Sequence, residues 1–116
     1  MASPFNYDGR IFRSVTNSTG GDVSALTVFH YHESANVVWA EYEGGKVVKG
    51  MLLATKAASG ELDARYQHIN VTGKLMTGIC HSVPKQLPDG RYRLRESWQW
   101  TCGDCSTGES VVEEVG

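Results

Sequence analysis

Polar and apolar residues alternate along the stretch RYRLRESWQWT, residues 91–101. One set of alternate positions is mostly apolar and aromatic, and it consists of Tyr92, Leu94, Glu96, Trp98 and Trp100. The other set is polar, and it consists of Arg91, Arg93, Arg95, Ser97, Gln99 and Thr101. Because successive side chains of a strand point to opposite faces, this alternation predicts a strand with one dry and one wet face.

Turn-forming dipeptides divide the chain into short segments rich in strand-forming residues. The turns are predicted at Asp8-Gly9, Gly20-Gly21, Gly44-Gly45, Ser59-Gly60, Thr72-Gly73, Asp89-Gly90 and Thr107-Gly108. The segments between them predict strands over 10–16, 23–32, 37–43, 46–56, 61–70, 75–83, 91–101 and 108–115, with a further short strand over 4–7. Pro84 and Pro88 predict a surface loop over 82–89. No window shows convincing helical periodicity.

This pattern predicts an all-β fold, with one domain over residues 1–116 and little or no helix. Short hairpin links favour a single antiparallel up-and-down barrel of eight to ten strands over a two-layer sandwich, because closure removes exposed sheet edges. An eight-stranded barrel either fills its interior with side chains or holds one small ligand. Both alternatives stay open at this point.

The inward faces predict an aromatic interior with a few polar groups. Strand 61–70 places Leu62, Ala64, Tyr66 and His68 on its inner side. Strands 23–32 and 37–43 have apolar residues on both sides, so their inner faces are undecided. The predicted lining of a ligand cavity is Trp39, Tyr66, His68, Glu96, Trp98 and Trp100. The alternative is a filled core, because Tyr and Trp are common core residues of β-proteins.

Glu96 is the one carboxylate on the dry face of strand 91–101. A buried carboxylate must be paired, hydrogen-bonded or protonated, because bare burial costs on the order of several kcal/mol. His68 is a possible partner, and a His–carboxylate pair can perform general acid–base catalysis. His68 and Glu96 are therefore the candidate catalytic residues of an enzyme, although the same pair can be purely structural.

Cys102 and Cys105 form a C-x-x-C. A redox C-x-x-C normally begins a helix, and a structural zinc ion needs four ligands; the sequence predicts neither context. We expect free thiols, with a local disulfide or a metal site as alternatives. No metal and no cofactor are predicted.

Charge and hydropathy limit the kinds of partner that the sequence predicts. The formal net charge of −2 and the scattered basic residues give no reason to expect nucleic acid. The longest apolar run, around 51–54, falls far short of the roughly 20 residues of a spanning helix, so no membrane partner is expected. The first ten residues lack the basic start and apolar core of a secretory signal, so we expect a cytoplasmic location.

Three stretches resemble a family of short bacterial proteins of about this length that are often labelled N-acetylglutamate synthase. They are VVWAEYEGGKVVKG (37–50), GELDARYQHINVTGKLMTG (60–78) and LPDGRYRLRESWQWTCGDCSTGESVVEE (87–114). The resemblance implies a compact barrel similar to the calycins and lipocalins, and a Ser-rich turn where this chain has Cys102 and Cys105. An acetyltransferase needs an acetyl-CoA-binding α/β domain that this sequence does not predict, so the resemblance is applied to the fold and not to the activity.

Three functions follow as hypotheses. The first is binding of a small apolar or aromatic molecule in an internal cavity. The second is an enzyme of isomerase or cyclase type on the same barrel, with His68 or Glu96 as acid–base. The third is a non-catalytic structural protein with a filled interior that forms a homodimer through an outer strand face. A barrel fold is compatible with all three.

Overall fold

The computed structural model describes residues 4–17 and 20–115, and within these ranges it shows eight strands and no helix. The strands are β1 (Ile11–Asn17), β2 (Val28–Ser34), β3 (Val37–Gly44), β4 (Val47–Lys56), β5 (Leu62–Asn70), β6 (Leu75–Gln86), β7 (Tyr92–Trp100) and β8 (Thr107–Glu114). Each strand pairs antiparallel with the next, and β8 pairs with β1. The predicted all-β up-and-down barrel is therefore confirmed. Within the described ranges, no helix is long and apolar enough to cross a membrane.

Alternation along each strand determines which side chains enter the barrel. The inner face of β5 carries Leu62, Ala64, Tyr66 and His68, as the sequence predicted. The structure also shows the inner faces of the two strands that the sequence left undecided. The buried residues are Phe29 and Tyr31 on β2, and Val38, Ala40 and Tyr42 on β3. Their outward neighbours alternate with them, so the apolar residues on the outer side of β3 are left on the surface.

Three predictions about the elements are wrong by more than one residue, and each error has a local cause. Strand β2 begins at Val28 rather than at residue 23, because Ser24 and Thr27 close a turn in which Thr27 N donates to Ser24 O. Strand β6 continues through Pro84 to Gln86. The β5–β6 ladder ends at Ser82, so Pro84 pairs only with β7 and occupies an edge position where proline is tolerated.

The third error is the short strand over 4–7, which is instead an irregular segment that plugs one end of the barrel. Tyr7 is fully buried there and donates a hydrogen bond from Oη to the Gly60 carbonyl at 2.7 Å. The Tyr7 amide donates to Glu33 Oε1, and Lys56 Nζ lies 2.5 Å from Glu33 Oε2. Lys56 also donates to the carbonyl of Phe5. The opposite end of the barrel holds the cavity described below.

Candidate functional site

A cavity of about 50 Å³ lies inside the barrel, toward the end where β3, β5 and β7 finish. We call this the cavity end, in contrast to the end that Tyr7 plugs. Its aromatic lining consists of Phe29, Tyr42, Tyr66, Trp98 and Trp100. Its polar lining consists of Asn17, Asp22, His68, Glu96 and Ser110. The lining thus joins a large aromatic surface to a few polar groups.

The aromatic rings contact one another in a chain along the cavity wall. Phe29 stacks on Tyr42 with ring centroids 4.9 Å apart. Trp100 contacts both Tyr66 at 5.8 Å and Trp98 at 5.6 Å between centroids. Aromatic pairs at such distances stabilise one another beyond the area that they bury, so the rings form a preformed wall.

His68 is buried in this wall and both of its ring nitrogens have protein partners. Nε2 lies 2.9 Å from Asp22 Oδ2, and Nδ1 lies 2.9 Å from Tyr42 Oη. An ionised carboxylate only accepts hydrogen bonds, so Nε2 carries the hydrogen. In the neutral imidazole Nδ1 then accepts from the Tyr42 hydroxyl. His68 therefore links the barrel wall to Asp22 and has no free nitrogen for a ligand.

Asp22 belongs to residues 20–27, which cover the cavity end and which we call the covering loop. Gly20 O accepts a hydrogen bond from Trp100 Nε1 at 3.1 Å. A Cβ at Gly21 would lie 3.1 Å from the Trp98 ring, so the loop backbone is in close contact with that side chain. Thr27 Oγ1 donates to the Gly44 carbonyl at 3.0 Å. Contacts with β3, β5 and β7 thus hold the loop over the cavity.

Glu96 is buried on the inner face of β7, with 8% of its surface exposed. Ser110 Oγ donates to Glu96 Oε1, and Ser82 Oγ donates to Oε2, each at 3.2 Å. Burial raises the pKa of Glu96 to about 7, while the two serine hydrogen bonds act in the opposite direction. Glu96 is therefore a carboxyl group that changes its protonation state near neutral pH.

The predicted pair between His68 and Glu96 is wrong. Strand β6 lies between β5 and β7, so the two side chains are not on neighbouring strands. Each bonds to other partners, His68 to Tyr42 and Asp22, and Glu96 to two serines. Both nevertheless line the same cavity, as the sequence predicted.

The other predicted lining residues divide into two groups. Tyr66, Trp98 and Trp100 line the cavity as expected. The inclusion of Trp39 needs correction, because its side chain lies on the outer face of β3, is 37% exposed and stacks on His32. The alternation of β3 explains this, since its inward positions are held by Val38, Ala40 and Tyr42.

Sequence reasoning missed Asp22 and Tyr42. Asp22 follows the predicted Gly20-Gly21 turn, but no local pattern shows that it contacts His68, which is 46 residues away. Tyr42 lies on a strand with apolar residues on both faces, so its inward position was undecided. The glycine at position 50, inside a predicted strand, is the sequence feature that relates to Tyr42. A Cβ there would lie 2.4 Å from the Tyr42 ring.

The cysteines lie outside this arrangement or are inert within it. Cys102 and Cys105 are free thiols, and Cys102 Sγ lies 3.4 Å from the Thr77 amide nitrogen. Cys80 is buried at the cavity, and burial raises the pKa of its thiol far above the ordinary value, so it stays protonated. Over residues 4–17 and 20–115, no three His, Cys, Asp or Glu side chains are grouped as metal ligands would be.

Comparison with protein families gives a match over most of the chain. A family model described as avidin-like protein matches residues 5–115, which include all eight strands and every cavity residue. The chain belongs to the avidin-like protein family. Searches of curated proteins and of solved structures found no match.

Membership of the avidin-like family agrees with the calycin-like barrel that the resemblance implied. The match does not bear on the enzyme label or on the bacterial source of the proteins that the chain resembles. In chemical terms, the avidin-like barrel presents aromatic surface for burial of apolar atoms. It also presents a titratable carboxyl group, Glu96, beside the Ser110 hydroxyl, and these groups can orient a polar part of a ligand.

Proposed function

We propose that the avidin-like barrel binds a small apolar or aromatic molecule in the cavity beside Tyr66, Trp98 and Trp100. The observation that supports this most is the lining itself, because five aromatic side chains surround a few polar groups at an internal space. Small-molecule sites are usually concave, mostly apolar and equipped with a few orienting polar groups. Membership of the avidin-like family supports the same class of function.

The size of the cavity limits the bound group. At about 50 Å³ it is smaller than the cavity of roughly 150 Å³ that binds benzene in an engineered protein. The barrel as it stands therefore accepts a group of a few heavy atoms. A larger ligand has to move the covering loop or turn Trp98, which is half-buried beside Gly21.

Tryptophan fluorescence tests this proposal. The protein is titrated with apolar aromatic and aliphatic molecules of increasing size, and with biotin, because the family name suggests biotin-like ligands. We expect at least one saturable change that Trp98→Ala weakens by tenfold or more. Trp39→Ala is the matched control, because it removes a tryptophan on the outer surface and leaves the cavity intact. The proposal would be overturned if no molecule of the panel changed the fluorescence, or if both variants weakened binding equally.

A second candidate function is acid–base catalysis on a molecule in the same cavity. Glu96 favours it, because a carboxyl group with a pKa near 7 can both donate and accept a proton at neutral pH. His68 is no longer a candidate base, since both its nitrogens are engaged. Under this alternative Glu96→Gln retains binding and loses turnover of the bound molecule, whereas a binding protein turns nothing over in either form.

We also propose that the outer face of β3 and β4 contacts a second copy of the chain. Trp39 and Leu53 are directly paired on this face, and Met51 lies beside them; all three are exposed. A contiguous exposed apolar patch is typical of an interaction surface. Light scattering after size exclusion should give a dimer for the wild type and a monomer for Leu53→Lys. Val83→Lys, an exposed apolar site on β6, is the control; a monomeric wild type would contradict the proposal.

A further inference from the structure

The charged groups of the cavity are of one sign. Two carboxylates, Asp22 and Glu96, line it, and none of the described lining residues is Lys or Arg. Asp22 is already bonded to His68 and Asn70. Glu96 faces the cavity without any cationic partner, which is unusual for a buried carboxylate.

The hydrogen bonds of Glu96 leave part of its accepting capacity unused. Each carboxylate oxygen accepts one serine hydroxyl, whereas an ionised carboxylate offers about four lone-pair sites. Those two serines are neutral donors, so they solvate the carboxylate only partly and do not balance its charge. A cationic group in the cavity would complete the hydrogen bonding of the carboxylate and would also balance its charge.

The remaining wall is also suited to a cation. Trp98 and Trp100 follow Glu96 at alternate positions on the inner face of β7, and the Tyr66 ring contacts Trp100 along the same wall. The faces of Trp and Tyr rings attract organic cations, and the attraction increases when the cation is desolvated. An anionic group beside several aromatic rings is the combination that recognises organic ammonium ions.

From these observations we propose that the cavity takes a small organic ammonium ion, with its nitrogen at Glu96 and its carbon atoms against Tyr66, Trp98 and Trp100. This inference rests on the proposed function and adds one feature to it, a positively charged nitrogen on an otherwise apolar molecule. The cavity volume limits the ammonium group to a few heavy atoms.

The test exploits the protonation of Glu96, so the other titratable groups around it matter. They are Tyr31 of β2, Tyr42 of β3, Tyr66 of β5 and Cys80 of β6. Burial raises the pKa of each of these groups well above its ordinary value, so all four stay neutral between pH 6 and pH 8. His68 and Asp22 also line the cavity and are bonded to each other, so a pH dependence is assigned to Glu96 only if Glu96→Gln removes it.

Three molecules with one carbon skeleton separate the possibilities: isobutylammonium, isobutanol and isobutyrate. Binding is followed by tryptophan fluorescence and calorimetry at pH 6 and pH 8, where the ammonium ion stays charged. We expect isobutylammonium to bind at least tenfold more tightly than isobutanol at pH 8, and isobutyrate to bind most weakly. Between pH 6 and pH 8 the affinity for the ammonium ion should rise about tenfold as Glu96 loses its proton.

Substitutions complete the test. Glu96→Gln keeps the shape but removes the charge; its amide oxygen accepts from one serine, and its amide nitrogen donates to the hydroxyl oxygen of the other. The preference for the ammonium ion should therefore fall below twofold. Asp63→Asn is the matched control, because it removes a carboxylate from the exposed outer face of β5 and should change nothing. If Glu96→Gln does not fold, the preference of the wild type for isobutylammonium over isobutanol at pH 8 still decides whether the cavity takes a cation.

The possible failures are distinguishable. Equal binding of isobutanol and isobutylammonium would overturn the ammonium assignment and leave the proposed function standing. The assignment would also be overturned if isobutyrate bound most tightly of the three, or if isobutylammonium bound more tightly at pH 6 than at pH 8. Either result would show that Glu96 acts as a protonated donor. If none of the three binds, the assignment fails, and the proposed function fails with it only if the wider panel is silent too.

Discussion

The ring of Tyr66 lies across Gly78, its partner on the neighbouring strand. A Cβ added to Gly78 would be 2.3 Å from the Tyr66 hydroxyl oxygen. The same arrangement recurs at Tyr42, which pairs with Gly50 and would be 2.4 Å from a Cβ there. In both pairs, the glycine lets a tyrosine ring lie along the barrel wall. Two large rings therefore leave space in the centre, where the cavity is found.

Gly78→Ala should consequently destabilise the protein by about 1–3 kcal/mol, because the new methyl group displaces a packed ring. It would also lie 2.8 Å from the Gln99 carbonyl oxygen, which contributes to the cost. Combining Gly78→Ala with Tyr66→Leu should recover part of that loss, since the clashing ring is gone. Chemical denaturation of the two single variants and the double variant gives the coupling energy. Additive effects would show that the ring and the glycine are independent.

Glu96 should make the stability of the fold depend on pH. The folded protein holds the Glu96 proton up to about pH 7, whereas the group's ordinary pKa is 4.5. Between these values the folded state binds more protons than the unfolded state, so stability falls as the pH rises from 4.5 to 7 and then levels off. The contribution lost is on the order of 3 kcal/mol.

Denaturation curves at pH 5, 6, 7 and 8 measure this dependence. In Glu96→Gln the decline over this range should be much smaller, because no proton is bound or released at that position. Asp63→Asn is the control, since it removes an exposed carboxylate and should keep the decline of the wild type. A Glu96→Gln profile parallel to that of the wild type would contradict the assignment.

The sequence predicted the barrel and much of the lining because both depend on local alternation. Strand β7 alternates so clearly that its inward set, including Glu96, follows from residue order alone. On β3 apolar residues occur on both faces, because Val37 and Trp39 share the outer face with two glutamates, so hydrophobicity did not distinguish Trp39 from its buried neighbours. The prediction failed where two faces carry similar residues.

The contacts of the polar residues were not predictable in the same way. His68 was expected inside, but its partners Asp22 and Tyr42 come from the covering loop and from β3, 46 and 26 residues away. Such partners depend on strand order and on how a loop folds over the barrel end. Alternation predicts which face of the sheet a side chain occupies, but it does not predict which residues that side chain contacts.

The ion pair between Lys56 and Glu33 should contribute strongly to stability at the plugged end. Both side chains are nearly buried, and removing one partner of a buried pair leaves an uncompensated charge. Lys56→Met should therefore cost about 3–5 kcal/mol. Arg65→Met breaks an exposed ion pair with Asp63 and should cost less than about 1 kcal/mol. Denaturation of both variants makes the comparison, and similar costs would mean that Lys56 is effectively solvated.

Asp22 should control how firmly the covering loop closes the cavity end. Asp22→Ala leaves the buried Nε2–H of His68 without an acceptor, which should cost about 1–3 kcal/mol. Asp22→Asn keeps an oxygen acceptor and should cost less. Because His68 stays packed in the wall, the effect should be greatest in the loop, where hydrogen exchange of residues 20–27 should accelerate in Asp22→Ala.

Asp8→Ala is the matched control for this experiment. It removes a carboxylate that accepts a hydrogen bond from the Glu33 amide at the plugged end, far from the covering loop. Exchange of residues 20–27 should then match the wild type, although stability falls. If Asp22→Ala leaves exchange in the covering loop unchanged, contacts such as Trp100 to Gly20 are sufficient to hold it. In that case ligand entry depends on the movement of Trp98 rather than on release of the loop.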